Sequence, residues 1–202
     1  MAKGDETRQA ILTRAFELAN VIGVSGLTIG RLAEATGLSK SGLFAHFGSK
    51  EALEVAVVEE AARQFVQDVM VPALRQPRGE PRVRALYDRW LAWGRRPGGC
   101  FFVGAAAELD DRPGPPRDAL VQVSKDWIDA LGTAAQIAIT EGHFRADLDA
   151  PQFAFELYGI MLATHNFDRF LRDDRASERA RTAFERLLAG ARAPSRSGSR
   201  AR

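Results

Sequence analysis

Side chains able to do covalent or acid–base chemistry are few in this sequence. Its 202 residues hold three histidines, His46, His143 and His165, and one cysteine, Cys100. No H-E-x-x-H, G-x-S-x-G, Walker phosphate loop or G-x-G-x-x-G occurs. Cys100 and His165 could pair as nucleophile and base only if the fold brings them together, and a thiol pKa pushed down would be the sign of it. The expectation is a protein that is not an enzyme and that uses no cofactor and no metal. The chemistry on offer is recognition. Ser39, Lys40, Ser41 and Gly42 are consecutive and short or flexible, while Leu43 and Phe47 can turn the other way. Hydroxyls, one ammonium and one bare backbone at the start of a short helix make a slim surface, able to enter a groove and meet base edges.

Such residues need elements to hold them, and helical periodicity dominates the chain. Ile11, Leu12, Ala15, Phe16 and Ala19 share one helix face, and the stretch from Gly23 to Gly26 stops that helix. Thr28 is an N-cap for a second, short helix with Leu32 inward, which Gly37 ends. Ser39 caps a third that ends at Gly48, and Ser49 caps a fourth expected to run to about Gln76, with Pro72 bending or ending it. Further stripes follow: Val83, Leu86, Trp90 and Trp93; the FFVGAAAEL segment; then, after a break over 110–118, Leu120 to Ala138. Asp149 with Gln152 reads as a capping pair for the next helix, and a last one spans about 177–190. No strand and no internal repeat is evident. The fold class is all-α with about nine helices.

Charge adds a mild asymmetry. Residues 1–50 carry net +2 and residues 192–202 carry +4, which leaves −4 on 51–191 of the chain's overall +2. A basic head and tail flanking an acidic body suit a protein that offers one end to a polyanion. Neither a signal-peptide core nor an apolar run of about 18 residues is present, and the lone cysteine forbids an internal disulfide. A soluble, cytoplasmic protein without a membrane partner is expected.

A short helix, a glycine turn and a second short helix are the parts of a helix-turn-helix. In this setting TIGRLAEATGLSKSGLFAHFGSKEAL (28–53) resembles the TetR family of bacterial regulators, with its Thr-capped helix, Gly-hydrophobic-Ser turn, Leu-aromatic-x-His-Phe run and Lys-Glu-x-Leu entry to the next helix. The likeness covers about residues 8–55; 98–115 resembles a segment of one subgroup more loosely. The resemblance implies an N-terminal helix-turn-helix DNA-binding domain (1–50) and a helical ligand-binding and dimerisation domain (51–191), and the Arg/Ser/Gly/Pro-rich composition of 192–202 predicts a disordered basic tail. It implies that Thr28 meets a phosphate, that Ser39, Lys40, Ser41 and Gly42 face base edges or nearby phosphates, and that His46 and Lys50 reach phosphates on either side. Phe44 departs from the family's Tyr at that position and lacks a hydroxyl that often serves as a phosphate ligand.

The remaining chain is too apolar and too long for a spacer. Trp90, Trp93, Phe101, Trp127 and Tyr158, with Cys100, Glu108 and His165 as polar or reactive neighbours, are candidates to line a small-molecule site. Phe153, Leu157, Met161 and Leu162 with Phe184, Leu187 and Leu188 are expected to form a twofold dimer interface. The reading is a transcription regulator, a repressor that binds a palindromic DNA operator as a homodimer and is released by an unknown small-molecule ligand. The alternative is a ligand-binding or interaction protein with a weakened DNA-binding head; the sign of regulation is not written in the sequence.

Overall fold

Polar caps mark out the helices of the computed structural model, which describes residues 3–194, with side chains from residue 6 onward. Helix α1 (Lys3–Ile22) is followed by α2 (Ile29–Thr36), α3 (Lys40–Phe47) and α4 (Lys50–Phe65). Thr28, Ser39 and Ser49 sit in extended backbone, and their side chains accept from the N–H groups of Arg31, Gly42 and Ala52. Each bond satisfies one of the donors a helix start leaves orphaned. Gly37, at φ 69°, ends α2 in the left-handed conformation that glycine adopts without penalty.

Helix α4 passes without interruption into a π-helical segment, Val66–Met70, and then α5, Val71–Leu74. Pro72 has no N–H to give the carbonyl of Asp68, and the widened turn lies just ahead of it. The run of helical residues stops at Leu74, slightly short of the expected Gln76. Next come α6 (Glu80–Gly94), α7 (Phe101–Leu109), α8 (Pro115–Thr140) and α9 (Ala150–His165), a second π-helical segment (Asn166–Phe170), and α10 (Ala176–Ala191). The break at 110–118 is shorter than expected, because α8 starts at Pro115: prolines in a first turn lack only an N–H that would have no helical partner. The capping pair at α9 is half formed. Asp149 accepts from the Gln152 N–H at 3.0 Å, but the Gln152 side chain donates to Glu156 at 2.9 Å. Among the described residues there is no strand, only an isolated bridge between Phe144 and Arg192.

The chain divides into two compact units. The first comprises the residues up to Met70 with Leu91–Asp126. There Ile11, Leu12, Ala15, Phe16 and Ala19 of α1 are all buried. An aromatic cluster forms the centre: Phe16 lies 5.6 Å from Phe101, and Phe65 lies 5.3 Å from Trp93 and 5.4 Å from Phe102, ring to ring. Edge contacts of this kind add about 0.5–1.5 kcal/mol each beyond the area they bury. One carboxylate, Glu60 of α4, is buried against α1. It accepts from Gln9 and Thr13 of α1 and from Arg63 and Gln64 on its own helix. Burial pushes its carboxyl up, but the hydrogen bonds from Arg63, Gln64 and Gln9 outweigh that and hold its pKa at about 2.

The second unit comprises Val71–Trp90 and the chain from Trp127 onward. Tyr87 stacks on Phe184 at 3.9 Å, and Phe144 packs on Phe153 at 5.3 Å. Arg84 grips Glu185 with both terminal nitrogens and reaches Glu80 with Nε, while Arg192 makes a second pair of bonds to Glu80. At the start of the expected tail, Arg192 is tied to Glu80, and the Ala193 N–H donates to the His143 carbonyl. Residues 195–202 of that tail lie outside the described residues.

Of the seven residues expected at a dimer interface, Leu162 and Leu187 are half-buried, and the other five need a correction. Phe153, Leu157, Met161, Phe184 and Leu188 are each at most 1% exposed within the single chain. α9 and α10 spend their strongest apolar stripe on their own unit. The apolar groups left open there are different: Phe155 is 70% exposed and Phe170 79%.

Candidate nucleic-acid interface

The inward side of the α2–turn–α3 pair is apolar, and that is what leaves the other side free. Leu32, Leu43 and Phe47 are buried, so the opposite face of α3 must look outward. Thr28, Ser39, Lys40, Ser41, Gly42 and Lys50 are exposed, and His46 is half-buried beside Phe47. Phe44 is 55% exposed, a large apolar group left in water. The Arg8 guanidinium lies over the Phe47 ring at 5.5 Å to its centre, which ties α1 to the end of α3.

Two details shape this surface. Gly30 opens the first turn of α2, and a Cβ built there would come within 3.7 Å of Lys40 Cε and 3.8 Å of Thr28 Oγ1. The Lys40 side chain and the Thr28 hydroxyl therefore flank the start of α2, where free N–H groups and the helix dipole favour an anion. On α3, Ser39 Oγ takes the Gly42 N–H and stands 3.2 Å from Ser41 Oγ. Ser39 both caps α3 and stays exposed, so capping does not remove it from the surface.

Lys50 is less available than its sequence position suggests. Its ammonium donates to the Ser25 carbonyl at 3.2 Å and lies 3.5 Å from Glu54 Oε1. Arg31, which sequence reasoning left out, is exposed next to the Thr28 cap and donates to the Gly26 carbonyl at 3.4 Å. Its position three residues after an N-cap, at the surface of α2, was the available signal.

The candidates for a ligand site fall into both units. In the first, Trp93, Cys100 and Phe101 are buried, and Trp93 and Phe101 belong to the aromatic cluster around Phe16 and Phe65. Burial pushes the Cys100 thiol pKa up, the reverse of what an activated nucleophile needs. Glu108 is used elsewhere: its carboxylate accepts from the backbone N–H groups of Val24 and Ser25, in the turn that leads to α2. In the second unit Trp90 and Trp127 are buried, while Tyr158 and His165 are half-buried. Burial, then the charge of Arg169, lowers the His165 pKa and favours a neutral imidazole. The described residues contain no cluster of three or more His, Cys, Asp or Glu side chains able to hold a metal ion, and no helix long and apolar enough to cross a membrane.

Known proteins share this architecture. The family described as bacterial regulatory proteins, tetR family, matches residues 11–57, and the one described as tetracyclin repressor-like, C-terminal domain, matches residues 79–184. The HTH-type transcriptional repressor AcnR of Corynebacterium efficiens is 40% identical over 72 residues, which are 34% of this chain and 38% of that protein. The tetracycline repressor protein class C of Escherichia coli is 44% identical over 52 residues, 26% of this chain and 24% of that one. These alignments thus span well under half of either relative. Solved structures match at full length. A TetR transcriptional regulator from Chloroflexus aurantiacus is 30% identical at a TM-score of 0.82, covering 94% of this chain and 96% of its own. A TetR-family regulator from Cytophaga hutchinsonii reaches a TM-score of 0.87 at 23% identity, covering 96% and 98%. AibR, solved with isovaleryl coenzyme A and operator DNA, gives 0.70 at 23% identity, covering 90% and 97%. With one family matching the first helices and another more than half of the chain, this protein belongs to the TetR family of bacterial regulatory proteins and is a regulator, not an enzyme.

Proposed function

We propose that the protein is a transcriptional repressor that binds duplex DNA through α3, works as a homodimer on a palindromic operator, and is released by a small molecule bound in its helical body. The observation that carries the reading is the division of α3 into a buried side, Leu43 and Phe47, and an exposed one, Ser39, Lys40, Ser41 and Gly42. A helix so divided can lie in a major groove while its neighbour braces it. Thr28, Lys40 and Arg31 would meet phosphates, His46 and Lys50 would flank them, and Phe44 would contribute apolar contact without a hydroxyl.

Pairing is supported by what α9, α10 and the segment between them leave open. Phe155, Phe170 and Leu171 are exposed, and Ile160, Ala163, Phe167 and Ala183 line a groove of mainly apolar surface. A twofold partner would cover such surface and would set two heads to read two half-sites about 34–36 Å apart. A ligand is supported by the isovaleryl coenzyme A bound by the structural neighbour AibR. Such a ligand can weaken DNA binding only by its differential affinity for the two states, typically about 1–3 kcal/mol.

The test is selection of duplexes from the parent genome with purified protein, followed by fluorescence anisotropy across a salt series. A recovered palindrome, with affinity falling steeply as salt rises, is the expected result, since phosphate contacts release counterions. A protein that selects no sequence and shows no salt-dependent binding would instead be a ligand-binding member with a silent head.

A further inference from the structure

We propose that Glu108 is a positioning residue for the DNA-reading head: with Arg112 it fixes the turn between α1 and α2 and so sets the aim of α3. The proposal rests on the reading of α3 as the DNA-contacting helix. Glu108 occupies the last turn of α7. Its Oε1 accepts from the Val24 N–H at 3.2 Å and its Oε2 from the Ser25 N–H at 2.8 Å. These donors lie just past the end of α1, where helix geometry supplies them no acceptor. Gly23 makes the approach possible: it has φ 83°, and a Cβ there would overlap the Glu108 carboxylate.

Ser25 is held on every side. Its N–H goes to Glu108, its carbonyl accepts from Lys50 at 3.2 Å, and its hydroxyl accepts from Arg112 at 2.8 Å. Arg112 also donates to Glu54 at 3.2 Å, a carboxylate only 2% exposed on α4, and Lys50 lies 3.5 Å from that same group. Two acids and two bases, from α4, α7 and the loop after it, thus close around one exposed turn residue. Nothing in helix capping calls for this arrangement. Ser25 stands three residues before the Thr28 cap, so a shift of Ser25 moves the start of α2 and the α3 packed on it. Helix α1 is held from the other side as well: Asn20 donates to the Pro97 carbonyl at 2.6 Å and the Gly99 carbonyl at 3.2 Å, in the turn that enters α7. The turn before α7 and α7 itself therefore each hold the end of α1, and Glu108 is the contact that reaches past it.

The experiment compares wild type with Glu108→Gln and Glu108→Asp. The probe is the duplex that wild type recovers from a randomised pool. Gln offers one acceptor where two are needed, and Asp is one methylene too short. Both variants are expected to bind about tenfold more weakly: Gln gives up the charged acceptor and one of the two bonds, and Asp draws both oxygens away from their donors. The salt slope should not change, because no phosphate contact is lost. Amide exchange should accelerate at Val24 and Ser25 and through α2 and α3, while the amides of α9 and α10 keep their wild-type rates. Unchanged affinity, or an exchange increase spread evenly over the chain, would overturn the proposal. If wild type recovers no duplex, the DNA reading fails on its own, and unchanged exchange in α2 and α3 would still overturn the positioning role.

Discussion

Replacing Glu60 with Gln should destabilise the protein at neutral pH and matter far less in acid. The native carboxyl holds its proton only below a pKa of about 2, against an ordinary 4.5. At 1.36 kcal/mol per pKa unit that gap is worth about 3 kcal/mol when both states are ionised. Arg63, the strongest partner, is 53% exposed, so solvent screening trims the figure to about 2 kcal/mol. The sign follows from the direction of the change. A depressed native pKa stabilises fully above 4.5, and the contribution fades as pH falls towards 2. At pH 3 the unfolded carboxyl is already protonated and about 1 kcal/mol remains. The substituted amide keeps the shape but turns an N–H₂ towards Arg63 or Gln9, so it cannot replace the charge. Urea unfolding of both proteins, at one protein concentration and at pH 7 and pH 3, measures the difference. The wild-type advantage should shrink by half or more between the two. An equal advantage at both would mean that the carboxylate is not the bonded species, and the account of the α1–α4 contact would be wrong.

Gly98→Ala should cost about 2–5 kcal/mol and show as a lowered denaturation midpoint: Gly98 has φ 89°, and a Cβ there would overlap the backbone carbonyl of Asn20, which cannot swing away as a side chain would. Lys40→Ala should leave the midpoint unchanged, weaken duplex binding similarly across sequences, and reduce the salt slope by about 1 per head, as anisotropy would reveal. Cys100 should resist thiol reagents in the native protein and react at the unfolded rate in denaturant, because it is 2% exposed and burial raises its pKa; rapid native labelling would contradict that.

Much of the head was legible in the sequence because its decisive interactions are local. Thr28, Ser39 and Ser49 each bond an N–H three residues on, and Gly37 turns the chain by its own backbone freedom. A contact that closes within one helical turn depends on neighbours that the sequence states directly. The 3.6-residue spacing likewise marked Ile11, Phe16, Leu43 and Phe47 as inward residues, and all are buried. Periodicity says which face is apolar and is silent on what covers it. For that reason the stripe on α9 and α10, Phe153, Leu157, Phe184 and Leu188, read as an interface between copies but closes within one chain, while Phe155 and Phe170 stay open.

Polar roles followed the same rule. Glu108 looked like the anchor of a ligand site because it lies among aromatics in sequence; its partners, Val24 and Ser25, are 84 and 83 residues away. Glu60 gave no sequence signal, since Gln9 and Thr13 meet it only once α1 packs on α4. The sequence by itself determined the helices, their caps and the surface that α3 presents, because each is decided within a few residues. Tertiary structure alone decided how the carboxylates are used and which apolar surface remains open, because a side chain's partner at long range is set by packing and not by spacing.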